Sequence, residues 1–249
     1  MTDQLHTELP PALHRALELL TDPPADPDVS KGYLDLLTDD VVTDVAPPRN
    51  TGAIQAVWAS GIGSMLYDNA QSLARRLASV WRLPVEWLDI PPGGVALDVG
   101  SGPGNVTAQL ARAAGPDGLA LGIDISEPML ARAVEAQAGP NVGFLRADAQ
   151  QLPLRDETVD AAVSLAVLQL IPNPAATLAE IARVLRPGGR MAVMVPTAGA
   201  VGPLFRLLPD GGATFFGEDE IGDILEGLGL AGVRTKSVGT FQWVRARRP

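Results

Sequence analysis

The sequence predicts an α/β protein built on a doubly wound sheet of seven strands, the last antiparallel, with an N-terminal helical cap. Three observations carry that prediction. From Val95 onward, strand-like apolar runs alternate with stretches of helical periodicity. The run Val95-Ala96-Leu97-Asp98-Val99 breaks at Gly100, Gly102 and Gly104, and helical spacing resumes through Val106, Leu110 and Ala113. Val159 to Leu165 is almost continuously apolar, as a parallel strand covered on both faces requires.

The elements follow in chain order. Residues 1–90 lack strand–helix alternation and read as a helical cap, with 91–249 as the α/β domain. Pro11 to Leu20 is a short helix with Leu13, Leu17 and Leu20 on one side. The prolines at Pro23, Pro24 and Pro27 end it, because proline cannot continue a helix interior. Tyr33 to Leu37 forms a second apolar patch. Two helices are expected between Ile54 and Leu83, the second carrying a stripe of Leu66, Leu73, Leu77 and Val80. The turn Pro91-Pro92-Gly93-Gly94 introduces the central strand. Leu119 to Ile125 is the second strand, with Ser126 as N-cap of the following helix and Pro128 in its first turn. Val142 to Leu145 and Val159 to Leu165 are the third and fourth. Asn173 and Pro174 open a helix with Leu178, Ile181, Ala182 and Leu185 inward, which Pro187-Gly188-Gly189 stops before the strand Arg190–Val195. Residues 197–216 are rich in glycine and proline and read as a lid or substrate-binding insertion. A helix from Glu218 to Leu228 and a hairpin of Val233–Val238 with Phe241–Val244 complete the fold.

Composition excludes several function classes. The net charge of −10 argues against a protein that tracks a nucleic-acid backbone, and Arg245, Arg247 and Arg248 read as a solvated terminus. Cysteine is absent, so disulfides and thiolate metal sites are excluded, and no metal site is expected. No basic-then-apolar leader opens the chain and no run of about 20 apolar residues occurs, so a cytoplasmic protein without integral membrane association is expected.

The glycine spacing separates two ligand classes. A dinucleotide turn has the spacing G-x-G-x-x-G, whereas here Gly100, Gly102 and Gly104 alternate and Asn105 takes the third Rossmann position. Asp98, two residues ahead, suits a ligand bearing an ammonium better than one bearing phosphates. Asp98-Val99-Gly100-Ser101-Gly102-Pro103-Gly104 resembles the first motif of class I S-adenosylmethionine-dependent methyltransferases, which share a Rossmann-like fold. Gly122-Ile123-Asp124-Ile125-Ser126, Ala147-Asp148-Ala149-Gln150-Gln151-Leu152-Pro153, Val159-Asp160-Ala161-Ala162-Val163 and Leu185-Arg186-Pro187-Gly188-Gly189-Arg190 resemble that family's later landmarks, in order. The likeness is greatest to the small-molecule branch that includes ubiquinone and menaquinone biosynthesis methyltransferases.

The resemblance implies S-adenosylmethionine as cofactor, S-adenosylhomocysteine as product and a role for each landmark. Gly100, Ser101, Gly102 and Gly104 would pass close to the methionine part and ribose, with Asp98 orienting the amino group. Asp124 would accept from both ribose hydroxyls, Ile125 and Met129 would pack on adenine, and Asp148 with the backbone of Ala149 would meet its edge. Ser164 and Leu165 would sit beside the methionyl portion. Read without the family, Asp124 is a helix-capping or surface acid, Asp148 a turn residue and Met129 a core residue. Asp156, Glu157 and Asp160 read as a solvated turn, and His6 and His14 as surface residues.

Methyl transfer from a sulfonium is an in-line displacement, helped by alignment and water exclusion. A base is needed only where the acceptor's own proton must leave. Many relatives carry histidine near Gln169; glutamine takes no proton at neutral pH, so no catalytic residue is assigned. Trp58, Tyr67, Gln169, Phe205, Phe215 and Phe216 are candidates to line an apolar acceptor pocket, or, for the aromatics, to pack cap against core. The acceptor is thus expected to be a small apolar or aromatic molecule methylated on oxygen or carbon. The lack of cysteine counts against arsenite, and the lack of an Asn-Pro-Pro-Tyr type sequence counts against nucleic-acid bases. A nicotinamide-dependent oxidoreductase and a non-catalytic cofactor-binding relative are the alternatives.

Overall fold

A computed structural model describes residues 9–37, 84–197 and 214–249. In chain order the elements are α1 (Pro11–Leu17), β1 (Leu34–Asp35), α2 (Val85–Leu88), β2 (Val95–Val99), α3 (Asn105–Ala114), β3 (Leu119–Asp124), α4 (Glu127–Gln137), β4 (Val142–Arg146), β5 (Val159–Leu165), α5 (Pro174–Val184), β6 (Leu185–Pro196), α6 (Glu220–Gly227), β7 (Ala231–Val238) and β8 (Phe241–Arg247). A 3-10 turn at Leu168–Leu170 lies between β5 and α5.

The described strands form one eight-stranded sheet in the order β1-β4-β3-β2-β5-β6-β8-β7. Strands β1 to β6 pair in parallel, and β8 runs antiparallel to both β6 and β7. The expected antiparallel last strand is therefore present, inserted between β6 and β7. The eighth strand is β1, within the apolar patch read from Tyr33 to Leu37. Two residues are too few for a periodicity to show, and the strand exists because Leu34 and Asp35 pair with Leu145 and Arg146 of β4. The expected helices between Ile54 and Leu83 lie outside the described residues.

Side chains alternate along β2 and β3, so each of these strands feeds two cores. Val95, Leu97, Val99, Leu119, Leu121, Ile123 and Leu145 pack on the side holding α1, α5 and α6. Ala96, Ala120, Phe144 and Val163 pack on the side of α2, α3 and α4, against Leu110, Leu130 and Ala133. Both faces of the sheet are covered, and small residues on β2 and β3 let α3 sit close. The first helix stops at Leu17, three residues short of the expected end, because Leu20 forms a bridge with Leu154 instead.

Four residues read as solvated have structural partners. Asp160 accepts from the Val95 N–H at 2.7 Å and from Arg186 at 2.7 Å, fixing the start of β2 against β5. Arg248 donates to the carbonyls of Ala182, Arg183 and Leu185 at the end of α5 and pairs with Glu157 at 2.8 Å. Cations suit a helix C-terminus, where carbonyls lack partners. Arg245 stacks on Trp87 with 4.9 Å to the ring centre. His14 is exposed, as expected.

Candidate functional site

Strand order reverses between β2 and β5, and ligands of open α/β sheets bind at the carboxyl ends beside such a reversal. The glycine turn emerges there. Gly100, Gly102 and Gly104 have φ of +77°, +50° and +78°, a region L side chains rarely adopt. Close packing adds a second requirement. A Cβ on Gly100 would lie 2.3 Å from Val167 Cγ2, and one on Gly104 would lie 2.6 Å from Phe144 Cζ. Gly100 therefore lets the segment after β5 press onto the turn, and Gly104 lets α3 start against the β4 ring.

The turn is also tied to β3. The Ile123 carbonyl accepts from the Gly100 N–H at 2.8 Å and the Ser101 N–H at 3.0 Å. Asp124 takes the Gly102 N–H on Oδ2 at 2.8 Å and the Ser126 N–H on Oδ1 at 2.8 Å. A carboxylate oxygen has two acceptor positions, so each oxygen of Asp124 keeps one. Burial raises the Asp124 pKa, and the backbone N–H groups of Ser126, Gly102 and Ile125 oppose it. Ser126 occupies the N-cap position of α4, but its side chain makes no capping bond; its backbone N–H serves Asp124 instead.

Asp98 points to the α3 side and is 2% exposed. Its Oδ2 accepts from Thr107 Oγ1 at 2.7 Å. Burial pushes its carboxyl up to about 7; the Thr107 hydrogen bond opposes this and the nearby Asp124 charge adds to it. A carboxyl poised near neutrality in a dry site marks a place where a cation would be welcome.

On the far side of β3, Ile125 is half-buried and Met129 is 6% exposed. Arg146 braces this loop, donating to the Ile125 carbonyl at 3.4 Å and pairing with Asp35 at 3.1 Å and Glu127 at 3.2 Å. Asp148 closes an Asx turn, with its Oδ1 accepting from the Gln150 N–H at 2.8 Å. Ala149 packs against the core beside it.

After β5 the backbone is strained. Ala166 has φ +58°, outside the range natural to a residue with a Cβ. Gln169 is 4% exposed; its Nε2 donates to the Ala166 carbonyl at 2.7 Å, and its Oε1 has no partner. Ser164 is fully buried and its hydroxyl also lacks a partner, while Leu165 is half-buried. The Gln169 carbonyl accepts from the Thr214 N–H at 2.8 Å, which brings Phe215 and the core residue Phe216 to the same edge. Trp58, Tyr67, Phe205 and His6 lie outside the described residues.

The structure thus gathers Asp98, Gly100, Ser101, Gly102, Gly104 and Asp124 at the ends of β2 and β3. Ile125, Met129, Asp148 and Ala149 follow toward β4, and Ser164, Leu165 and Gln169 stand on the β5 side. Sequence reading missed Thr107, which lies one turn into α3 from Asp98, and Val167, whose apolar character carries no functional signal. These features fit a cofactor with a cationic end and a diol. Asp98 would take the first, the two open positions on Asp124 the second, and the buried unpartnered Ser101 hydroxyl offers a further contact.

Fold and site define a class I α/β domain for a nucleoside-bearing cofactor. A family model described as "Methyltransferase domain" matches residues 97–193. A demethylmenaquinone methyltransferase of Roseiflexus castenholzii is 31% identical over 64% of this chain and 77% of its own length. An uncharacterized 37.1 kDa protein of a Streptomyces fradiae transposon is 44% identical over 44% of this chain, which spans only 32% of that protein. Among solved structures, a Thermotoga maritima S-adenosylmethionine-dependent methyltransferase, titled a possible histamine N-methyltransferase, shares the fold. Its TM-score is 0.61 at 21% identity, covering 79% of this chain and all of that one. The chain belongs to the class I S-adenosylmethionine-dependent methyltransferases, and S-adenosylmethionine is its cofactor.

Proposed function

We propose that this protein transfers the methyl group of S-adenosylmethionine to an oxygen or carbon of a small, apolar or aromatic molecule. The observation that carries the cofactor side is Asp124. Each of its oxygens is fixed by one backbone N–H and keeps one acceptor position, beside the glycine turn. Two vicinal hydroxyls are the matching donors. An ammonium beside Asp98 would hold that carboxylate ionised, removing the cost of burying it alone. Ile125 and Met129 supply apolar contact for a planar base, and Asp148 accepts at its edge.

When bound, the cofactor supplies an electrophilic methyl on sulfur. The chain's part is to align the partners and keep water out. Gln169 fits that division of labour. Its amide is locked by the Ala166 carbonyl, and it accepts hydrogen bonds but not a proton. An acceptor that ionises on its own, such as a phenol or enol, meets this site better than an alkyl alcohol. That the Roseiflexus relative is named for demethylmenaquinone supports a ring acceptor of this kind.

The acceptor walls in this reading are drawn from the N-terminal region around Trp58 and Tyr67 and from the segment 197–216, with Phe205 and Phe215 adding aromatic surface. Thr197 and Thr214 anchor that segment to Thr240 and Gln169. No helix among the described residues is long and apolar enough to cross a membrane. A cytoplasmic protein without a nucleic-acid partner is proposed, supported by the net charge of −10. Incubation with methyl-labelled S-adenosylmethionine and a panel of hydroquinones, phenols, enols, fatty acids and sugars tests the reading. Label on hydroquinones, phenols or enols is expected. Label confined to sugars or fatty acids would overturn it.

A further inference from the structure

Gln150 is a buried polar residue, 6% exposed, for which the roles above give no use. Its side chain is fully committed. Nε2 lies 3.2 Å from both Asp148 oxygens, and Oε1 accepts from the Asn173 N–H at 3.0 Å. With the 2.8 Å bond from its own backbone N–H, Gln150 makes three contacts to one carboxylate. Because Oε1 is fixed by a backbone donor, the amide cannot flip, and Nε2 must face Asp148. Asn173 is itself anchored as the N-cap of α5, accepting from the Ala176 N–H at 3.1 Å. The orientation of Asp148 is thus referred, through one side chain, to the start of a core helix.

We propose that Gln150 is the positioning residue for adenine recognition: it sets the plane of the Asp148 carboxylate so that the acceptor position left open on its Oδ2 meets the exocyclic amino group. This rests on the reading of Asp148 as the acceptor for that group. A bare Asx turn pins one oxygen and leaves the carboxylate free to swing about its last bond. The bifurcated Nε2 contact removes that freedom before the ligand arrives, which is what preorganisation requires. The motif Asp148-Ala149-Gln150 then has a physical reason for its third residue. A glutamine two positions on is long enough to fold back on the acid and reach Asn173 as well.

The test is calorimetric binding of S-adenosylhomocysteine and of S-inosylhomocysteine, which carries a carbonyl in place of the amino group. Gln150→Leu removes both links. Gln150→Met keeps the side-chain length and removes the donor to Asp148 without adding a charge, leaving its sulfur as a weak acceptor for the Asn173 N–H. Both variants are expected to bind S-adenosylhomocysteine about tenfold more weakly, the worth of one well-placed hydrogen bond to a charged group. Their affinity for S-inosylhomocysteine should stay within about twofold of wild type, so discrimination between the ligands collapses. Equal losses for both ligands, or none, would overturn the proposal. Asp148→Asn separates the two levels. If it leaves discrimination intact, the Asp148 reading itself fails; if it abolishes discrimination while both Gln150 variants retain it, only the role of Gln150 fails.

Discussion

Replacing Asp98 by asparagine should stabilise the ligand-free protein while crippling cofactor binding. Asp98 is 2% exposed, and burial raises its carboxyl from 3.8 to about 7. An ionisation moved that far corresponds to about 4 kcal/mol of penalty when the group is charged in the fold. The sign follows from proton counts. Below about pH 4 the carboxyl is protonated in both folded and unfolded chains, so it costs nothing. Between about 4 and 7 the unfolded chain ionises first, and stability falls by about 1.4 kcal/mol per pH unit. Above about 7 the full penalty is present. Asparagine keeps an acceptor for the Thr107 hydroxyl and carries no charge. The variant should therefore gain on wild type as pH rises from 4 to 7, up to about 4 kcal/mol, and then hold a constant lead. Urea unfolding at a series of pH values reads this directly. Binding moves the other way, because only the carboxylate attracts an ammonium. Wild-type affinity for S-adenosylhomocysteine should drop as pH falls below about 7, and that dependence should vanish in the variant. A stability difference that is flat with pH, or that favours wild type at pH 8, would show that burial does not raise the Asp98 carboxyl.

Other perturbations probe the remaining parts of the site. Asp124→Ala should abolish measurable S-adenosylhomocysteine binding by calorimetry and also cost about 2 kcal/mol in urea unfolding, since the Gly102 and Ser126 N–H groups lose their acceptor. Unchanged affinity in the folded variant would contradict the ribose assignment. Gly100→Ala should destabilise by about 3 kcal/mol, combining a positive φ with a Cβ placed 2.3 Å from Val167. Adding Val167→Ala should recover part of that loss, and a double-mutant cycle with zero coupling would count against the contact. Arg146→Met should release β1, seen as faster amide exchange at Leu36, whose N–H donates to the Arg146 carbonyl, because the side-chain pair with Asp35 is lost.

The inner sheet was legible because its strands are long, apolar and separated by periodic helices. The acidic residues at the ends of β2 and β3 could be placed for the same reason, since a strand followed by glycine fixes where its last side chains emerge. What escaped was set by tertiary pairing. Two residues of β1 become a strand only when β4 lies beside them. Asp160 and Arg248 read as surface charges until the fold brings Val95 and the end of α5 against them. The glycines illustrate a subtler gap. Their spacing announces a ligand turn, yet the reason for Gly100 and Gly104 lies in Val167 and Phe144, far along the chain. Gln150 was invisible because a glutamine in a loop has no preferred partner until Asp148 and Asn173 converge on it.

The carboxyl ends of β2, β3 and β4 are proposed to form the S-adenosylmethionine site. The most direct measurement is titration calorimetry of the full chain with S-adenosylhomocysteine and, separately, with NADH and NADPH. One S-adenosylhomocysteine should bind per chain, with binding lost in Asp124→Ala, and neither nicotinamide cofactor should give heat. Binding of NADH or NADPH with no response to S-adenosylhomocysteine would contradict it.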